Sequence, residues 1–173
     1  MNYDICDYKD IIETHKDFPI DGIEYLDLNP IYKNPTYRDM LVSDCLVKIY
    51  NEFNKSSFDY IGVVESRGFL IGSILAHLLD KGLVLLRSKP GRLPGETKKI
   101  SHTLEYGDSQ MEVQTGEGKV LIFDDVLATG GTAQAATDVL TMAGYKPIGA
   151  LFPVEITFLK PKLSIPYRSV IKY

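Results

Sequence analysis

The chain has 173 residues, 45% of them hydrophobic and 24% charged, and a formal net charge of −4. Those totals fit one globular domain with a sizeable core. An acidic balance without a long Lys/Arg run argues against nucleic acid as the main partner, and no apolar run approaches the roughly 18 residues of a membrane span.

The first ten residues, MNYDICDYKD, carry acids and no apolar core, so no signal peptide is expected there. Cys6 and Cys45 lack metal or redox spacing, which suggests reduced thiols in a cytoplasmic protein. Residues 3–16 pattern as an amphipathic helix with Ile5, Tyr8, Ile11 and Ile12 on one face. Pro19, Gly22 and Pro30 then enforce an extended surface segment over 17–30. Thr36–Phe53 is predicted as a helix capped by Thr36, with Met40, Leu41, Val42, Leu46, Val47 and Ile49 as its apolar face.

Phe58–Val64 reads as a strand, Glu65-Ser66-Arg67-Gly68 as a polar turn, and Phe69–Leu79 as a helix. Gly82–Leu86 is a further strand. The polar stretch from Arg87 to about Gln110 is rich in Lys, Arg, Gly, Pro and Ser. A loop of that length inside a compact domain is usually functional, and a lid is expected. Met111–Gln114 alternates as a short strand, and Thr115–Gly118 turns the chain.

Lys119–Thr132, KVLIFDDVLATGGT, joins an apolar strand, two acids, a Gly-rich turn and the start of a helix. Ile148–Val154 is another strand, and the tail from Leu159 holds two prolines. Strands alternating with helices at this spacing predict a mostly parallel α/β sheet, with ligands beyond the strands' carboxyl ends.

The DDVLATGGT turn has a direct chemical use. Glycines let backbone N–H groups approach an anion, and a helix N-terminus adds its positive dipole end. A phosphate monoester fits Ala128, Thr129, Gly130, Gly131 and Thr132, and the carboxylates of Asp124 and Asp125 stand within reach of two vicinal ribose hydroxyls. The residues themselves therefore suggest a 5-phosphoribosyl group. The alternative is a Gly turn that only caps a helix. Neither GxxxxGK[ST] nor a strand followed by GxGxxG occurs, so P-loop and dinucleotide folds lack their fingerprints.

KVLIFDDVLATGGT resembles the phosphoribosyl-diphosphate (PRPP) signature of type I phosphoribosyltransferases. DFPIDGIEYLDLNP, VVESRGFLIG, SKPGRLPGET and SHTLEYGDSQMEV narrow the resemblance to the adenine-specific family, in the family's order over residues 17–132. The resemblance implies a single type I phosphoribosyltransferase domain over 1–173, with a central mostly parallel sheet flanked by helices. A small hood at about 17–30 and a mobile lid at about 87–110 complete it, the C-terminal tail being a second candidate for the hood. It implies purine salvage: adenine and PRPP giving AMP and pyrophosphate in a cytoplasmic homodimer, without nucleic acid or membrane.

By the same resemblance, Glu65, Ser66 and Arg67 form the pyrophosphate loop, with a strained or cis peptide at Glu65–Ser66. Arg87, Lys89 and Arg92 of the lid would close on the phosphates. The family's phosphate-binding Arg falls on Ser88, which shifts the expectation to Lys89 and Arg92 ahead of Arg87. Glu105 aligns with the catalytic glutamate, able to exchange a proton at the purine N7, and Tyr106 would close over the reacting groups. The base would lie between Tyr25 and Val126, with the backbone around Glu24 reading its amine edge. Leu26 departs from the family's usual Arg. No metal ligands are expected from the protein; Mg²⁺ would be held by PRPP and water. A hypoxanthine, guanine or xanthine transferase, or a non-catalytic PRPP-sensing regulator, stays open as an alternative.

Overall fold

The computed structural model describes residues 7–104 and 107–173, without the side chains of 102–104 and 107–109. The chain divides into two units, residues 1–43 and 44–173.

In the first unit a one-turn helix, α1 (Tyr8–Ile11), is capped by Asp7, whose carboxylate accepts the Lys9 N–H at 3.0 Å. The helix expected over 3–16 is therefore shorter: Ile12 is extended, and β1 (Glu13–Lys16) pairs antiparallel with β2 (Glu24–Asp27). Its four exposed residues carry no buried stripe to hold a helix, and the hairpin satisfies their backbone instead. Asp17 Oδ1 accepts the Gly22 N–H at 2.8 Å across the turn, which contains a cis Phe18–Pro19 bond. α2 (Asn29–Lys33) buries Ile31.

α3 (Pro35–Glu52) carries the chain from the first unit into the second. Its cap is Asn34 rather than Thr36: Asn34 Oδ1 accepts the Thr36 N–H at 2.9 Å, and Pro35 opens the helix, where no donor is needed. Leu41, Val42, Cys45 and Ile49 form the buried stripe, whereas Val47, expected on it, is 55% exposed.

The second unit is built on a parallel sheet in the order β10-β9-β7-β3-β4. The strands are β3 (Tyr60–Val64), β4 (Gly82–Leu86), β7 (Gly118–Phe123), β9 (Tyr145–Glu155) and β10 (Tyr167–Lys172). A short β8 (Val126–Leu127) also pairs with β9. The tail considered for the hood thus ends as β10, the sheet's outer strand.

Central position explains the unbroken apolar run of β7: Val120, Leu121, Ile122 and Phe123 are each 1% exposed or less. Each such burial contributes about 1.5–3 kcal/mol. α5 (Gly131–Met142) covers one face through Ala136, Val139 and Leu140, which cluster with Val120, Ile122 and Phe152. α4 (Gly68–Leu79) packs on the other, against Val63 and Phe123.

The polar stretch from Arg87 is structured further than expected. Only 87–96 connects; β5 (Thr97–Leu104) and β6 (Gly107–Gln114) form an antiparallel hairpin. Met111 and Val113 are buried in the α5-side cluster and Ile100 packs against it, a docking that the polarity of Thr97–Ser101 concealed. Among the described residues no helix is long and apolar enough to cross a membrane.

Candidate active site

β3 and β7 are neighbours, and their carboxyl ends release the two turns singled out from the sequence. β3 leads into Glu65-Ser66-Arg67, whose Glu65–Ser66 peptide is cis as the resemblance implied. β7 leads into Asp124-Asp125. Gly68 lets these turns meet: a Cβ there would lie 3.1 Å from the Phe123 carbonyl oxygen and 3.2 Å from Asp124 Oδ1. Arg67 Nε consequently reaches Asp125 Oδ2 at 2.8 Å, and Asp125 is buried.

The two acids are not equivalent. Burial, and next the adjacent Asp125 charge, push the Asp124 carboxyl well above the ordinary aspartate range, although the Asp125 N–H and Arg67 oppose this. Asp124 Oδ1 accepts that N–H at 2.9 Å. Two carboxyls beside one guanidinium can accept hydrogen bonds from hydroxyl donors.

The phosphate-type turn follows at once. Gly130 has φ +97° and caps α5, whose first helical bond runs from the Gln134 N–H to the Gly130 carbonyl at 2.9 Å. The amides ahead of Gln134 stand at the helix's positive end, the arrangement that suits an anion. Ala128, Gly131 and Thr132 are half-buried and Thr129 is exposed. The turn is braced from both sides. β9 holds its start, with the Val154 N–H donating to the Asp125 carbonyl at 3.1 Å. The tail holds its tip, with the Lys162 N–H donating to the Thr129 carbonyl at 3.2 Å and Gln134 exchanging two 2.9 Å bonds with Ser164.

A second cluster gathers cations around Glu65. Its Oε2 accepts the Ser88 N–H at 2.8 Å and the Ser88 hydroxyl at 3.2 Å. Its Oε1 faces an Arg87 guanidinium nitrogen at 3.1 Å and one of Arg92 at 3.7 Å. Burial works to raise the Glu65 pKa, but the two Ser88 bonds and then Arg87 and Arg92 hold it below the ordinary value. Arg87 Nε is buried with no hydrogen-bond partner among the described residues. Arg87 therefore belongs to this cluster as much as Arg92 does. Lys89, between them in sequence, is exposed.

The residues expected at the base divide between the units. Glu24 is exposed on β2; Tyr25 is half-buried and meets the Phe18 ring edge-on at 5.1 Å; Leu26 is buried. Val126, in the second unit, is half-buried on β8. Glu105 and Tyr106 lie outside the described residues.

Sequence reading missed two features of this region. One is the Gln134–Ser164 brace, for which a glutamine one turn into α5 was the single cue. The other is Glu112, buried at 1% exposure. In the alternating run Met-Glu-Val-Gln it reads as an outward-facing polar residue.

A family model for the phosphoribosyl transferase domain matches residues 32–157. An adenine phosphoribosyltransferase of Prochlorococcus marinus (strain NATL2A) is 39% identical, covering 95% of this chain and 98% of its own length. One of Nitrosopumilus maritimus (strain SCM1) is 38% identical at the same coverage. Among solved structures, adenine phosphoribosyltransferase of Saccharomyces cerevisiae, complexed with an imino-altritol bisphosphate and adenine, superposes with a TM-score of 0.86. It is 34% identical and covers 94% of this chain and 95% of its own. The Giardia lamblia enzyme complexed with 9-deazaadenine gives 0.84 at 32% identity, covering 95% of both chains.

Proposed function

The chain belongs to the phosphoribosyl transferase domain family, and from that premise we propose that it carries out purine salvage. It transfers the 5-phosphoribosyl group of PRPP to adenine, giving AMP and pyrophosphate. The observation that carries this reading is the Asp124–Asp125 pair at the head of the Gly130 turn, against Arg67 of the neighbouring loop.

In this reading Ala128–Thr132 take the 5-phosphate, and Asp124 and Asp125 take the ribose hydroxyls. Glu65, Ser66 and Arg67, with Arg87, Lys89 and Arg92, serve the pyrophosphate end. Guanidinium groups suit that end because they bind phosphate oxygens bidentately. Adenine N9 bonds to C1 as the C1–O bond to pyrophosphate breaks, Glu105 exchanges the proton at N7, and Tyr106 closes over the reacting groups. Glu24, Tyr25 and Val126 serve the base. No protein ligands are assigned to Mg²⁺, which when bound with PRPP would supply neutralisation of the pyrophosphate charge. The test is turnover of PRPP with adenine, hypoxanthine, guanine and xanthine in turn. AMP and pyrophosphate from adenine are expected; silence with adenine and turnover of another purine would replace the base assignment, for which the buried Leu26 is the specific motive.

The reading includes a homodimer. Leu70, Ile74 and Leu78 recur every four residues along α4, with Leu70 and Leu78 each 49% exposed. On the edge strand β4, Leu83 and Leu85 pair with Ile61 and Val63 and so point to the α4 side of the sheet, 42% and 38% exposed. Exposed apolar residues on α4 and on the same side of the edge strand suit a second copy. Sedimentation equilibrium is expected to return twice 19.4 kDa, and a single-chain mass would end the assignment. The buried free thiol of Cys45 suits the reducing cytoplasm, where this reading places the reaction.

A further inference from the structure

Glu112 lies on β6 between Met111 and Val113, whose side chains enter the core on the opposite face of the strand. By alternation its carboxylate belongs on the outer face. It is nonetheless 1% exposed, because the 87–96 connection folds over it. Oε2 accepts the Gly91 N–H at 2.7 Å and the Arg92 N–H at 3.3 Å. Oε1 accepts the Thr97 hydroxyl at 2.9 Å and lies 3.4 Å from Lys99 Nζ. The Glu112 backbone adds two 2.9 Å bonds with Arg87, one in each direction. Burial alone would neutralise such a carboxyl, yet the Thr97, Gly91, Arg92 and Lys99 donors together hold its pKa below the ordinary value.

The connection is therefore held at both ends and at its middle by one residue. Its start is bonded through the Arg87 backbone, its tip through Gly91 and Arg92, and its end through Thr97. The side chains it presents are Arg87 and Arg92, which converge on Glu65, together with Lys89. We propose that Glu112 is a positioning residue for the reaction, a buried carboxylate that fixes the Arg87–Arg92 segment so that its cations face the pyrophosphate loop. This rests on the functional reading above for the identity of the ligand, while the geometry of the clamp is independent of it.

The experiment compares wild type, Glu112→Gln and Glu112→Ala. Steady-state kinetics measure KM for PRPP, KM for adenine and kcat, and calorimetry measures pyrophosphate binding, a readout that needs no turnover. Loss of a buried, charge-assisted clamp is expected to weaken PRPP and pyrophosphate by about tenfold to a hundredfold in Glu112→Ala. Adenine KM stays within about twofold, since the Glu112 carboxylate bonds none of the residues that this reading assigns to the base. Glu112→Gln, which keeps an acceptor for Gly91 and Arg92, is expected to fall between. If Glu112→Ala does not fold, Glu112→Gln alone decides. Unchanged PRPP and pyrophosphate affinity, or an equal rise in both KM values, overturns the proposal. A wild type silent with adenine but still binding pyrophosphate would remove the functional reading, and the clamp would then stand or fall on the affinity ratio alone.

Discussion

Glu105→Leu is expected to lower turnover by about 10²- to 10⁴-fold while leaving PRPP binding nearly intact, the range for removing a positioned acid or base. Attack by adenine N9 requires the imidazole to redistribute a proton, and a carboxyl at N7 can supply or accept it as C1 loses pyrophosphate. Leucine keeps the volume and removes the proton exchange. PRPP is bound by other groups in this reading, chiefly Asp124, Asp125, Arg67 and the Gly130 turn. Pre-steady-state mixing with adenine would report the chemical step and equilibrium dialysis the PRPP affinity. Surviving turnover would remove Glu105 from the catalytic role.

Asp125→Asn is expected to lower kcat/KM for PRPP by about 10²-fold, the scale of one or two hydrogen bonds to a charged acceptor. It loses the ribose-binding charge and also strands Arg67, whose Nε now lies 2.8 Å from the carboxylate. A loss smaller than about fivefold would show that Asp125 contributes packing rather than binding.

The same variant has a second readout. The Asp124 carboxyl is raised in the folded state, so the native protein binds a proton that the unfolded chain has released. Its contribution is therefore most favourable below the ordinary aspartate value of 3.8 and declines as pH rises through the raised folded pKa. Asp125→Asn removes the second-largest cause of that shift and leaves the largest, burial. The fall in substrate-free stability with rising pH should become shallower without vanishing, as denaturant midpoints measured across pH would report. An unchanged slope would mean that the two acids do not interact.

Much of the fold was legible in local pattern. β7 and β9 show as apolar runs because parallel strands buried on both faces tolerate no polar alternation, while the edge strand β4 is an apolar run with one face left exposed. α4 and α5 show at their starts, where a polar or Gly-rich turn precedes a helical period. The misreadings share a cause. Residues 13–16 are polar, as are four of the five at 97–101, and their strand state comes from a pairing partner elsewhere in the chain. The cap of α3 went to Asn34 because Pro35 begins a helix well, a competition between adjacent signals.

The chemistry on offer is written in local strings: a strand ending in two acids, a Gly-rich turn at a helix start, a second polar turn carrying Arg67, and a cationic connection. Each carries its meaning in its own residue types and spacing. Which of these groups meet depends on strand pairing. Pairing of β3 with β7 brings Arg67 to Asp125, and pairing of β3 with β4 brings Arg87 and Ser88 to Glu65. The hairpin of β5 and β6 puts Glu112 beneath the connection that it anchors. Strand order and register link residues far apart in the chain, and no periodicity within one segment specifies them.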